Sequence, residues 1–207
     1  GTSRRQRQMC IRDRSIEDLA VFRTLPNVVV MHPCDDVSTR TLTMQLPDLG
    51  KPSYMRTARN KTPVLYDGRE DEIQIGKGIV LREGYDVAII SCGVLVSESL
   101  KAAEALAEEG INATVVDMHT LKPIDGELID SLVAQCGALV TAEDHNVIGG
   151  LGSAVAEYIV ANSFAPLEMV GVPDRFGESG QADEMLEVMG ISAPYIANAA
   201  KEAISRK

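Results

Sequence analysis

From residue 72 onward, apolar positions fall into two recurring patterns. Short aliphatic, β-branched runs at 86–92 (Val87-Ala-Ile-Ile-Ser-Cys92), 113–118, 138–142 and 168–172 are of strand length, and the first three show no alternation of polar and apolar residues, as in strands buried on both faces. Between them, apolar residues three and four apart predict helices. One covers about 96–108, with Leu100, Ala103, Leu106 and Ala107 turned inward and Gly110 as its C-cap. Others cover 125–135 after Pro123, a stretch from the glycines at 149–152 to about 161, then 183–189 and 194–206. Ile73, Ile75 and residues 76–81 predict an edge strand or hairpin.

The first part of the chain is sparser. Ser15-Ile-Glu-Asp18 has a capping-box pattern with Asp in place of Glu and opens a helix that Pro26 stops. Residues 27–31 read as a buried strand, Asp35, Asp36 or Ser38 starts a helix running to about 45, and 53–59 alternates weakly as another strand, with Arg56 and Arg59 near its end. Residues 62–71 are turn-rich and form the candidate linker. Strands alternating with helices of ten to fifteen residues imply a mostly parallel sheet covered on both faces, a three-layer α/β domain over 72–207. Residues 15–71 carry too few elements for an independent core and read as a fragment of a second α/β domain.

Composition narrows the function classes. The net charge of -10 excludes an extended nucleic-acid footprint. Apolar runs fall far short of the roughly 20 residues a membrane span needs, and no signal-peptide pattern opens the chain. Cysteines at 10, 34, 92 and 136 lack Cys-x-x-Cys spacing, and histidines at 32, 119 and 145 have no partner at helical spacing. Neither a disulfide framework nor a zinc site follows, and a reducing cytoplasm is the expected setting. Residues 1–14 differ from the rest: Arg4, Arg5, Arg7, Arg12 and Arg14 face only Asp13. A basic arm for nucleic acid or acidic lipid is one reading. The run Met9-Cys10-Ile11-Arg12-Asp13-Arg14, however, is what ATG-TGT-ATA-AGA-GAC-AGR encodes, similar to a transposon adapter used in sequencing libraries, so residues 1–14 are read as a non-native scar and excluded from fold reasoning.

The densest candidate chemistry lies at 138–157, an apolar run, an acidic corner (Glu143, Asp144, His145) and a glycine turn (Gly149, Gly150, Gly152) opening a helix, at the strand end where open α/β sheets place ligands. Gly150-x-Gly152 with Glu168 downstream partly matches a dinucleotide fingerprint, but the third glycine position holds Val155. Glu143 and Asp144 would also repel an anion there, so a packing turn is favoured. His145 beside two carboxylates has the makings of a general base, yet without a nucleophile it reads rather as a surface or interface histidine, and His119 is similar. Cys92 before a helix start reads as a small buried hydrophobe rather than a reactive thiol. Arg56 and Arg59 carry donors for bidentate phosphate binding, against the commoner role of surface ion pairs. The polar loop 174–180, holding Phe176, reads as a domain or subunit contact.

Taken in order, Ser-Ile-Glu-Asp-Leu-Ala-x-x-Arg-x-Leu-Pro-Asn (15–27), His-Pro-Cys-Asp (32–35), Met-His-Thr-Leu-Lys-Pro-Ile-Asp (118–125), Thr-Ala-Glu-Asp-His-Asn-Val-Ile-Gly-Gly-Leu-Gly-Ser-Ala-Val-Ala-Glu (141–157) and Phe-Gly-Glu-Ser-Gly (176–180) closely resemble the C-terminal section of transketolases, the form in which the enzyme is split into two polypeptides. The resemblance implies a fragment of the pyrimidine-binding domain over 15–71 and a whole C-terminal domain over 72–207. It implies transfer of a two-carbon ketol unit between sugar phosphates, with thiamine diphosphate and a divalent metal such as Mg2+ held between domains of different subunits. A partner carrying the diphosphate-binding domain and an oligomeric assembly follow. The family's catalytic glutamate, the aromatic residues against the aminopyrimidine and a Thr-His-Gln segment belong upstream of Ser15, so no catalytic, cofactor or metal residue maps onto this chain. Arg59 matches in position the arginine that binds the substrate's phosphate, with Arg56 as the fallback. 1-Deoxyxylulose-5-phosphate synthase and the 2-oxo acid dehydrogenase β subunit share this domain order, and a non-catalytic dimerisation or docking module is the alternative from another class.

Overall fold

The computed structural model describes residues 16–58, 61–178 and 180–207. The short helix α1 (Asp18–Thr24) leads to β1 (Val29–Met31), α2 (Asp36–Gln45) and β2 (Ser53–Met55). Asp35 caps α2: its carboxylate accepts the Ser38 amide at 2.7 Å while the Ser38 hydroxyl accepts the Asp35 amide, a capping box. After a linker and a 3-10 turn at Glu70–Glu72 come β3 (Ile79–Arg82), β4 (Val87–Ser91), α3 (Leu95–Glu108), β5 (Ala113–Asp117) and β6 (Thr120–Lys122). The chain ends with α4 (Gly126–Cys136), β7 (Leu139–Asn146), α5 (Leu151–Asn162), β8 (Leu167–Val172), α6 (Ala182–Val188) and α7 (Ala193–Ser205). None of the described helices is long and apolar enough to cross a membrane.

Five strands form one sheet in the order β3-β5-β4-β7-β8, parallel except for the antiparallel edge strand β3. The central strand β4 is buried along its whole length, which is why its sequence is apolar without alternation. Val87 and Ile89 face a core shared with α3, α6 and α7 (Leu106, Met185, Ile196), while Ala88 and Ile90 face a second core shared with α4 and α5 (Ile129, Leu151, Val155). This is the expected three-layer α/β arrangement. In α3 the buried positions are Leu95, Val96, Glu98, Ser99, Ala102, Ala103 and Leu106. Leu100 and Ala107, expected inward, are only partly buried, because the packed stripe runs one position ahead of the pattern read from the sequence.

A second, three-stranded sheet has the order β2-β1-β6. Strand β6, which the sequence pattern does not signal, pairs antiparallel with β1 and ties the later part of the chain to its first strands. The linker adds a second tie. Tyr66 is fully buried in a third apolar cluster with Val29, Met31, Leu42 and Ile73, and the Leu65 and Tyr66 amides donate to the Asp35 carboxylate at 2.8 and 3.1 Å. Helix α1 lies against β2 through Phe22 stacked on Tyr54, ring centroids 3.8 Å apart.

Candidate functional site

The acidic corner read as a loop after a short strand is part of the strand: β7 continues through Glu143 to Asn146. Alternation along it sends Glu143, Asp144 and His145 to three different tasks. Glu143 is buried and turns back onto the start of α5, where it accepts the Leu151 and Gly152 amides at 2.7 and 2.8 Å. A Cβ at Gly150 would lie 2.0 Å from the Glu143 carboxylate oxygen, and one at Gly152 would lie 2.8 Å from Met169 Sδ. These glycines are packing residues, as expected. The amides that would receive a phosphate are already given to the chain's own carboxylate. Burial pushes the Glu143 carboxyl up to about 7, against the pull of those two amides.

His145 is buried, not on the surface, and its two nitrogens are both committed. Nδ1 donates to the Asn146 carbonyl at 2.7 Å, so Nε2 is left to accept the Ala20 amide near the start of α1 at 3.3 Å. Burial holds its pKa below the ordinary value, which suits a neutral ring used for docking rather than a general base. Arg23 of α1 reaches the same turn, donating to the Gly149 and Gly150 carbonyls and pairing with Glu157. The glycine turn is therefore the seat of α1. Local periodicity gave no sign of this, because its partners lie 125 to 127 positions away.

Asp144 faces the other sheet. One carboxylate oxygen contacts His32 Nε2 at 2.8 Å, and the other accepts from the Arg56 guanidinium at 3.1 Å. Arg56 also donates to the Asp144 backbone carbonyl at 3.1 Å and faces Asp18 at 3.6 Å, while Asp18 accepts the Tyr54 hydroxyl. Burial works against the charges on Arg56 and Asp144. Their mutual attraction, with His32, outweighs it, raising Arg56 and holding the Asp144 carboxyl well below the carboxylate range. Arg56, the fallback for phosphate binding, is thus spent in a largely buried ion-pair network. Gly93 makes room for it, since a Cβ there would lie 2.0 Å from His32 Nε2.

A second buried polar cluster lies at the end of β5. Asp117 accepts the Tyr66 hydroxyl at 2.9 Å and the Cys34 thiol at 3.3 Å, and its other oxygen has no partner among the described residues. Burial raises the Asp117 carboxyl to about 7, with the Tyr66 and Cys34 hydrogen bonds opposing. A carboxyl that stays protonated in the fold stabilises it at low pH, and this contribution fades as pH rises from about 4 through about 7. The stability advantage of wild type over Asp117→Asn is therefore expected to shrink by about 1.4 kcal/mol for each pH unit crossed in that window. Urea titrations of both proteins at pH 4.5 to 7.5 measure it, and a pH-independent difference would show that Asp117 is ionised throughout.

His119 is buried, makes a 3.0 Å contact from Nδ1 to the Thr120 hydroxyl, and is pushed down to about 4 by burial. Cys92 is fully buried and its thiol is pushed well above the ordinary range by burial, as a structural cysteine should be. Phe176 stands 91% exposed. Arg59 lies outside the described residues. Its neighbours Ala58 and Lys61 line an open cleft of about 680 Å³, together with Asp36, Arg40 and Thr57. Among the described residues no group of three His, Cys, Asp or Glu side chains is placed to hold a metal.

Sheet, layers and the hydrogen-bonded glycine turn define an α/β fold with a mostly parallel five-stranded sheet. A model of the family described as "Transketolase, C-terminal domain" matches residues 76–196, and the chain belongs to that family. It is 43% identical over 193 residues to the 6-deoxy-6-sulfo-D-fructose transketolase subunit SqwH of Clostridium sp. (strain MSTE9), across 93% of this chain and 60% of that protein. A solved split-gene transketolase, in an inactive beta4 tetramer, superposes with a TM-score of 0.89 at 42% identity, across 93% of this chain and 63% of the other. The 1-deoxy-D-xylulose-5-phosphate synthase of Trichormus variabilis is 37% identical over 195 residues, but this chain covers only 31% of its length. The chain thus spans about three-fifths of the transketolase subunits it matches.

Proposed function

We propose that this chain is the C-terminal part of a thiamine-diphosphate-dependent transketolase that moves a two-carbon ketol unit from a ketose phosphate to an aldose phosphate. The observation carrying this reading is the match to a split-gene transketolase over 93% of the chain. It works with a second polypeptide carrying the diphosphate-binding domain, in an oligomer, in the cytoplasm. Residues 15–71 complete the pyrimidine-binding domain and 72–207 form the C-terminal domain.

The described residues do not fit the diphosphate and its metal: the α5 amides are taken by Glu143, and no metal-ligand group is present among them. The reading assigns both to the partner and the pyrimidine ring to upstream residues. This chain's own contribution is the sugar phosphate. The reading gives the phosphate group to Arg59; in the cleft lined by Ala58 and Lys61, the cations Arg40 and Lys61 stand beside the carboxylates of Asp35 and Asp36, with Arg40 paired to Asp36.

Reconstitution tests this directly. The chain alone is expected to show no ketol transfer. The full-length subunit mixed with its diphosphate-binding partner is expected to turn over xylulose 5-phosphate and an aldose phosphate only when thiamine diphosphate is added. Turnover without the cofactor would contradict the proposal.

A further inference from the structure

Between the two sheets the linker is anchored by a single side chain. Residues 61–69 form no helix or strand, and of residues 61–72 only Tyr66 is buried. Its ring sits in the third apolar cluster, its amide and that of Leu65 donate to Asp35, and its hydroxyl donates to Asp117 at 2.9 Å. Asp117 is the last residue of β5 and is paired on both sides, with Ser91 of β4 and Ile79 of β3. Its other donor, Cys34, lies between β1 and the capping box of α2. Of the three segments that meet at Asp117, only the linker lacks secondary structure at the contact, so it is the one able to leave while the others stay in place.

The carboxyl is placed to be neutral. Asp117 is fully buried, both of its hydrogen bonds come from neutral donors to one oxygen, and the other oxygen has no partner among the described residues. A protonated acid suits this pattern: the oxygen with two donors serves as the carbonyl and the other carries the proton. The titratable and charged groups around the pair are His32 and Cys34 after β1, Asp35 at the head of α2, Cys92 after β4, and Arg69, whose guanidinium lies 5.6 Å from the centre of the Tyr66 ring. Asp35 adds to the cost of a charge on Asp117, and His32 with the two donors offsets part of it, but burial outweighs them. His119, two residues further along the chain, is held neutral by its own burial. An ionised Asp117 therefore gains more from water than from two donors on one oxygen, and water reaches it where Tyr66 withdraws.

We propose that Asp117 and Tyr66 form a proton-controlled latch on the linker. With Asp117 protonated, the Tyr66 hydroxyl stays seated; with Asp117 ionised, the linker opens far more often while both sheets remain folded. The latch is independent of the cleft and of the ketol-transfer reading.

Hydrogen exchange of the Leu65 and Tyr66 amides in the full-length subunit, corrected for the intrinsic rate at each pH, reads the opening. Asp117 titrates at about 7 when closed and at roughly 3.9 when hydrated, so its proton favours the closed form at low pH and that hold is lost as pH rises through about 7. Protection of both amides is expected to fall about tenfold per pH unit between about 4.5 and 6.5 and to level off near 7. Both should exchange faster than the Ile90 amide of β4 and without response to low urea, as a local opening does. Asp117→Asn keeps the accepting oxygen without a titrating proton, so its protection at these amides should not change with pH. Tyr66→Phe keeps the ring but removes a donor that favours the ionised form, so its levelling point should lie at higher pH than that of wild type. Flat protection in wild type, the same fall in Asp117→Asn, an unmoved levelling point in Tyr66→Phe, or exchange with the rate and urea response of Ile90 would each overturn the latch.

Discussion

Arg59→Ala in the reconstituted enzyme is expected to raise the KM for sugar phosphates by roughly 10- to 100-fold while leaving kcat for a saturating donor nearly unchanged. A charged hydrogen-bonding group is worth about 1.5–3 kcal/mol when its partner is ionised, and each 1.4 kcal/mol is a factor of ten. Because the phosphate is remote from the reacting carbons, its loss removes binding common to ground and transition states, which appears in KM. Arg56 does not compensate, since its guanidinium is committed to Asp144 and Asp18. Steady-state kinetics with phosphorylated and unphosphorylated donors separate the two effects. An unchanged KM removes Arg59 from the site.

Glu143→Ala is expected to lower stability by about 3 kcal/mol or more, read as a lower urea midpoint at constant slope. The substitution strips the acceptor from two buried amides at the start of α5, Leu151 and Gly152, and leaves an unfilled space beside Gly150. Both costs fall on the turn that seats α1, so protection of the Ala20 amide from hydrogen exchange should drop with it. Glu143→Gln keeps an acceptor oxygen and should lose less. A Glu143→Ala protein as stable as wild type would mean that water satisfies the α5 amides and that the glycine turn does not depend on this carboxylate.

The sheet was legible because its strands are buried on both faces: the runs at β4, β5 and β7 need only apolar side chains, and local pattern records those. Helices between them showed in the three-and-four spacing of apolar residues, with Gly110 read as a C-cap; the Asp125 N-cap and left-handed Gly137 C-cap of α4 came to light only in the structure. What the pattern missed is whatever long-range polar contacts decide. Strand β6 is three residues long, and only pairing with β1 makes it a strand. The end of β7 carries Glu143, Asp144 and His145, which read as a polar turn until α5, Arg56 with His32, and α1 are in place to satisfy them. Arg56 looks like any arginine at a strand end, and its partner is 88 positions away. Family resemblance, rather than pattern, singles out Arg59, and it also explains why the acidic, glycine-rich stretch is architecture and not catalytic machinery.

The most direct test of the proposed role follows labelled carbon. Xylulose 5-phosphate labelled at its first two carbons is incubated with an aldose phosphate, thiamine diphosphate, the partner subunit and the full-length form of this one. The expected product is an acceptor sugar lengthened by two labelled carbons, formed only when both subunits and the cofactor are present. An acceptor that gains no label in the complete mixture would contradict the assignment of ketol transfer.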